Sequence, residues 1–138
     1  MTLRKTISLS SIELTLPFPP SVNNYWRTNF KSKVVHLSKK GRDYKQTVIH
    51  EMKANLLNFS ESNEFALPLT GRLSVTIDLY AGTFHQMDID NRTKGVLDCL
   101  EGSIYTNDNQ IDELIVRRKA IDKQNPRCVV RICKIMEE

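Results

Sequence analysis

The chain has 138 residues, 26% of them charged and 40% hydrophobic, with a net charge of +4 and a pI near 9.0. That length suits one domain over residues 1–138, and the composition excludes the disordered and membrane-spanning classes. The first thirty residues hold no signal-type apolar stretch, and the three cysteines form no C-x-x-C, which argues against a disulfide framework or zinc site and for a reducing cytoplasm.

Residues 11–16, S-I-E-L-T-L, set Ile12, Leu14 and Leu16 on one face and predict a strand. Pro17, Pro19 and Pro20 end it and lead an extended segment into S-V-N-N-Y-W-R. Ser38 is placed to cap a helix over roughly 39–58, with Tyr44, Val48, Met52 and Leu56 on one stripe. After a polar loop, residues 72–80 alternate, turning Leu73, Val75, Ile77 and Leu79 inward. A short strand is expected over 84–89, then a helix capped by Asp90 and running to about Leu100. Val96, Leu97 and Leu100 form its buried side, and Gly102 marks its end. Strands near 111–121 and 127–135 finish the chain. The order β-α-β-β-α-β-β predicts an α+β domain, a mixed sheet with two main helices packed on it. Cys128 and Cys133, an odd number apart, point to opposite faces of the last strand and are read as packing residues.

The charge is unevenly spread. Residues 86–113 hold seven of the sixteen carboxylates, Asp88, Asp90, Asp98, Glu101, Asp108, Asp112 and Glu113, against only Arg92 and Lys94. This window carries −5 and the rest of the chain +9, which points to two partners of opposite sign, a metal cation and a polyanion. In an extended chain Asp88 and Asp90 leave the same face, roughly 7 Å apart at their α-carbons, with Ile89 turned to the core. Asp108 lies in the polar turn Y-T-N-D-N-Q, expected to fold back beside that strand end. Three carboxylates brought together this way make an oxygen-rich site for Mg²⁺, with Mn²⁺ as a substitute. A plainer reading makes Asp90 a helix cap, Asp88 a strand-end surface acid and Asp108 a turn former. Lys94, near the start of the second helix, sits where the dipole disfavours a cation, and its i+4 pairing with Asp98 runs in the weaker direction. Reaching toward a phosphate oxygen accounts for such a lysine, beside the plainer reading of an ordinary solvated side chain.

The pattern D-I-D-N-x-x-K-x-x-x-D-x-L, followed about ten residues later by D-N-Q, resembles the RusA family of Holliday junction resolvases. The segment P-P-S-V-N-N-Y-W-R and the stretch H-L-S-K-K-G-R-D-Y-K are similar to that family's upstream motifs and come in the same order. The resemblance implies a RusA-like fold and a homodimeric, Mg²⁺-dependent endonuclease that nicks four-way DNA junctions. By position it makes Asp88, Asp90 and Asp108 catalytic metal-binding carboxylates and Lys94 the catalytic lysine, with Asn91, Asp98 and Gln110 in supporting roles. Asn107 stands where the family often has a second acid, Met87 where some members are basic, and the loop before Asp108 is one residue shorter than in some relatives.

Phosphodiester hydrolysis by such a set needs metal and a fixed cation but no histidine. His85 is the one histidine close to the acidic window, while His36 and His50 read as structural or surface residues. DNA contact is expected from Arg27, Lys31, Lys33, Lys39, Lys40, Arg42 and Lys45, with Lys39 and Lys40 at a helix N-terminus that itself favours phosphate; the plainer reading makes these lysines a solvated face. Tyr25 and Trp26 beside Arg27 offer flat rings for splayed bases, or else pack in the core. Arg117, Arg118 and Lys119 are consecutive on one strand, so at least one face there is wet or touches DNA. The expected partner is branched DNA, with no membrane and no small-molecule cofactor, in a phage-borne setting. Symmetrical cutting calls for a two-fold dimer, with the apolar strand edges at 111–121 and 127–135 available for pairing. Two other readings use the same residues: a metal-dependent nuclease for flaps or other branched DNA, and a non-catalytic junction-binding module.

Overall fold

The computed structural model describes residues 4–21, 26–28, 31–32, 35–61, 67–84 and 88–137, the side chains of 4–10, 26–28, 35, 55–61 and 136–137 apart. Among the described residues, six strands and two helices follow in the order β1 (Arg4–Pro17), β2 (Trp26–Thr28), β3 (Val35–Leu37), α1 (Lys39–Glu61), β4 (Leu73–Tyr80), α2 (Asp90–Leu100), β5 (Ile111–Arg118) and β6 (Arg127–Glu137). A 3-10 turn, Asp108–Gln110, leads into β5.

The main sheet has the order β1-β6-β4-β5. β6 runs antiparallel to β1 and β4, while β4 and β5 are parallel and joined through α2. The sheet is therefore mixed, as the sequence predicts. Its register builds three apolar rows: Ile12 beside Ile132 beside Val75, Leu14 beside Val130 beside Ile77, and Leu16 beside Cys128 beside Leu79. All nine side chains are buried. Both helices cover this face. Tyr44, Val48 and Met52 of α1 and Val96, Cys99 and Leu100 of α2 join the same core. The opposite face is largely polar, with Glu13 paired to Arg131 and Asp78 to Arg117, the pattern of a sheet solvated on one side. Cys133 lies on that side and Cys128 on the core side, so the expected split of the two cysteines holds, and all three thiols are buried and unbridged.

Local chemistry sets the helix ends. Ser38 caps α1 as expected, its Oγ accepting from the Gly41 N–H at 3.0 Å. Gly102, at φ +90°, turns the chain after α2 in a conformation that strains other residues. Tyr105 then folds back beneath the helix, its hydroxyl donating to Leu97 O at 2.6 Å.

Three expectations need correction. The strand expected over 84–89 is not seen at its described ends: Phe84 is in a 3-10 turn and Ile89 has helical dihedrals (φ −70°, ψ −33°), while residues 85–87 lie outside the described residues. Ile89 is consequently 38% exposed rather than turned to the core. The extended segment before α1 instead contributes a small antiparallel ladder, Trp26 opposite Leu37 and Arg27 opposite His36. Finally, β6 is interior to the sheet, so only β5 of the two expected edges is one, with Leu114 and Ile115 each 43% exposed.

Candidate active site

Helix α2 organises the acidic window, and the fold divides that window among three places. At the start of the helix, Asp88 and Asp90 are exposed. Asp88 Oδ2 accepts from Asn91 Nδ2 at 3.3 Å. Asp90 is the first helical residue rather than the cap; Ile89 holds the cap position without any side-chain hydrogen bond. Negative charge in the first turn is favoured by the helix dipole.

At the other end of α2 stand Asp98, Glu101 and Asp108. The Glu101 Oε1 accepts the Asp108 backbone N–H at 3.1 Å. Asn107 caps the 3-10 turn through Oδ1, and Gln110 Oε1 accepts the Thr106 and Asn107 N–H groups at 2.9 and 3.0 Å. Gln110 Nε2 meanwhile donates to Leu69 O and Gly71 O. Asparagine in place of an acid at 107 thus keeps the turn and removes one charge. Burial raises the Asp98 carboxyl above its ordinary range; Lys94 opposes that rise, Asp108 and Glu101 reinforce it, and Lys45 of α1 opposes it again. Burial, then Asp108, Glu101 and Asp98, likewise hold the Tyr105 phenol protonated well above its usual range. The third group is structural: Asp112 takes a salt bridge from Arg72, and Glu113 accepts from Ser74 Oγ at 3.2 Å.

The ten-residue climb from Asp90 to Leu100 spans about 15 Å of helix axis. The turn bearing Asp108 therefore folds to the far end of α2 from Asp88 and Asp90, not beside them as its polar sequence led one to expect. Among the described residues, no three His, Cys, Asp or Glu side chains come together as a metal-holding group. The donors are nonetheless of the type Mg²⁺ takes, exposed carboxylate oxygens, and that ion is commonly held by one or two carboxylates with water and substrate phosphate completing its shell. Among the described residues, the Asp90 and Asp108 carboxylates make no hydrogen bond or ion pair, so the cap and turn-former readings leave both without a task.

Lys94 lies one turn beyond Asp90, 58% exposed, its Nζ 3.8 Å from Asp98 Oδ2. An exposed pair of this length is weak. Of the basic set, Lys31, Lys39, Lys40, Arg42 and Lys45 are exposed. Lys33 and the Arg27 side chain lie outside the described residues, as do His85 and Met87. Arg42 Nη1 donates to Leu37 O at 2.9 Å, tying α1 to β3. Lys45 of α1 is near enough to Asp98 to oppose the rise of its carboxyl.

The sequence assigns no role to Arg92, Glu101 or Tyr105, and the fold gives each of them one. Arg92 stacks over the Phe18 ring at 5.2 Å and donates to Pro19 O at 2.8 Å, while Tyr44 donates to Pro17 O at 3.0 Å. The proline segment is thus held from both helices. An arginine within an acidic window signals a partner, but only the fold shows that the partner is a proline carbonyl.

Fold and site together define a small α+β protein whose exposed carboxylates and helix-borne lysine suit phosphodiester chemistry. The profile of endodeoxyribonuclease RusA matches residues 17–133. The crossover junction endodeoxyribonuclease rusA of Enterobacteria phage HK97 is 29% identical over 114 residues, covering 80% of this chain and 84% of the relative. The proteins of that name from Enterobacteria phage 82 and Escherichia coli K12 are each 26% identical over 116 residues, covering 83% and 88%. The chain belongs to the RusA family of endodeoxyribonucleases.

Proposed function

We propose that this chain resolves four-way DNA junctions by paired nicks, using Mg²⁺ held by Asp88, Asp90 and Asp108 and the fixed charge of Lys94. The observation that carries the reading is the exposed, otherwise unemployed Asp90 and Asp108 carboxylates flanking a helix that bears Lys94, in a chain matched by the RusA profile over residues 17–133. A bound divalent ion supplies an activated water and neutralises charge on the phosphate. The chain's own residues do the rest. Lys94 places an ammonium where negative charge develops on the non-bridging oxygens. Lys39 and Lys40, in the exposed first turn of α1, take flanking phosphates together with the helix N-terminus. Gln110 and Glu101 hold the Asp108 turn in one place.

A homodimer belongs to the same proposal. Two strands of like polarity are cut symmetrically by two identical sites related by a two-fold axis. Helix α2 keeps Asp90 and Asp108 of one chain apart, and a dimer that sets the Asp108 end of one copy against the Asp88–Asp90 end of the other completes both sites at once. The exposed apolar edge β5 offers a surface for that pairing. No described helix is long and apolar enough to cross a membrane, and buried, unbridged thiols suit a reducing cytoplasm.

The test is cleavage of a synthetic four-way junction beside a linear duplex and a flap, with and without Mg²⁺. Symmetrical nicking of the junction alone, dependent on the metal, is expected. Preferential flap cutting would make the chain a different nuclease, and tight junction binding without cutting in any metal would make it a binding module.

A further inference from the structure

β4 and β5 are parallel, so both end at the same side of the sheet, the side from which the chain leads into Asp88 and α2. Two loops leave there side by side. They are strapped together by Lys119 N–H to Leu79 O and Asp122 N–H to Ala81 O, each 2.8 Å. Between them lies a cleft of about 630 Å³, lined by Thr83 and Phe84 from one loop and by Arg118, Lys119, Ile121 and Lys123 from the other. That volume is in the range of ligand sites.

Two features of the cleft have no structural use. Phe84 is 78% exposed, the most exposed of the large hydrophobic side chains among the described residues. Arg118, Lys119 and Lys123 are paired with no carboxylate among the described residues, whereas Arg72, Arg117, Arg127 and Arg131 are paired with Asp112, Asp78, Asp122 and Glu13. The fold neutralises its arginines along the sheet and leaves this corner cationic. An exposed flat ring, an apolar floor and three free cations match one chemistry closely: a nucleotide, its base stacked on the ring and its phosphates among the cations.

We infer that this cleft takes an unpaired nucleotide of the DNA strand, with Phe84 as the stacking platform and Arg118, Lys119 and Lys123 on the flanking phosphates. The inference rests on the DNA-cutting reading and adds to it a base-holding site at the Asp88 end of α2. Base stacking is interrupted where junction arms exchange strands, so a site for one unstacked base there fixes which phosphodiester lies at the carboxylates.

Phe84→Ala, Phe84→Trp and Lys123→Ala in the full chain test it, with a four-way junction and a dT oligonucleotide as probes and Mg²⁺ withheld during binding. Phe84→Ala should weaken binding of both probes about tenfold at an unchanged Tm, since stacking on a single ring carries that order of affinity. Phe84→Trp should restore binding, and its emission should be quenched by dT but not by poly-glutamate. Lys123→Ala should flatten the salt dependence by about one phosphate contact. Binding by Phe84→Ala within twofold of wild type would overturn the assignment. So would equal quenching by poly-glutamate, which would mark an acidic-peptide site, or dissociation of an oligomer by Phe84→Ala, which would mark a contact between copies. Wild-type protein that binds no DNA would instead sink the DNA-cutting reading itself.

Discussion

The Glu101 carboxylate accepts the backbone N–H of Asp108 at 3.1 Å, so the residue that ends helix α2 fixes where the aspartate-bearing turn begins. An acid at a helix C-terminus opposes the macrodipole, at a cost of about 0.3–1 kcal/mol, and the hydrogen bond gives a reason to keep it there. Glu101→Gln preserves the acceptor and removes the charge, and is expected to leave turnover near wild type with an equal or higher Tm. Glu101→Ala frees the turn and should lower turnover several-fold at saturating junction DNA with little change in binding. Single-turnover cleavage and thermal melting check both. Equal turnover for the two variants would remove Glu101 from any role in the site.

Gln110 makes four bonds, two accepted from the Asp108 turn and two donated to the chain just before β4. Gln110→Ala leaves those carbonyls and N–H groups to water, costing on the order of 1–3 kcal/mol. Tm should fall by several degrees, and cleavage should fall further than Tm alone explains. Gln110→Glu is a sharper probe: it keeps the acceptor, loses the donors to Leu69 and Gly71, and should be intermediate.

Lys94→Ala is expected to lose on the order of 10²-fold in cleavage rate with little loss of affinity, as befits a cation that acts mainly in the transition state. The 3.8 Å pair with Asp98 that the substitution removes is exposed and contributes little to stability. Matching losses of rate and affinity, both recovered with more protein, would make Lys94 a docking residue. The comparison needs cleavage at saturating enzyme beside binding without metal.

The division of carboxylates between the two ends of α2 has a consequence in mixtures. Asp90→Asn and Asp108→Asn should each abolish cleavage while leaving junction binding intact. If a dimer builds each site from both chains, mixing the two inactive variants creates heterodimers with one wild-type site, and single nicks should reappear. Sites contained in one chain would leave the mixture dead. Nicking of a junction labelled on all four strands reads the outcome.

Burial pushes the Cys128 thiol from about 9 up to about 12, with the Tyr44 hydroxyl beside it at 3.9 Å opposing the rise. The folded chain thus holds this proton more tightly than the unfolded chain. The stabilisation is complete below the unfolded value, and stability declines as pH rises from about 9 toward 12. Native protein at pH 8 should resist alkylation at Cys128, and urea denaturation should show a midpoint falling above pH 9. A Cys128→Ala variant should show a shallower alkaline decline.

The sequence by itself determined those elements whose signal is local. Alternation placed Leu73, Val75, Ile77 and Leu79 on the core side, a four-residue stripe placed Tyr44, Val48 and Met52, and Ser38 and Gly102 set helix ends, because side-chain period, capping and backbone freedom act within a few residues. It also picked out the carboxylates and the lysine that the fold leaves exposed. The tertiary structure alone decided which neighbours those residues have. The pairing of β6 between β1 and β4 depends on chain segments far apart in sequence, and the short ladder of Trp26 with Leu37 has too few residues to show a pattern. Ile89 reads as strand by alternation yet takes helical dihedrals, since α2 begins immediately after it. Closeness along the chain also misled at the site. Seven acids in one window look like one cluster, but a rigid helix runs through the window and carries its two ends apart, with Asp112 and Glu113 drawn off to Arg72 and Ser74 by the register of β5 on β4.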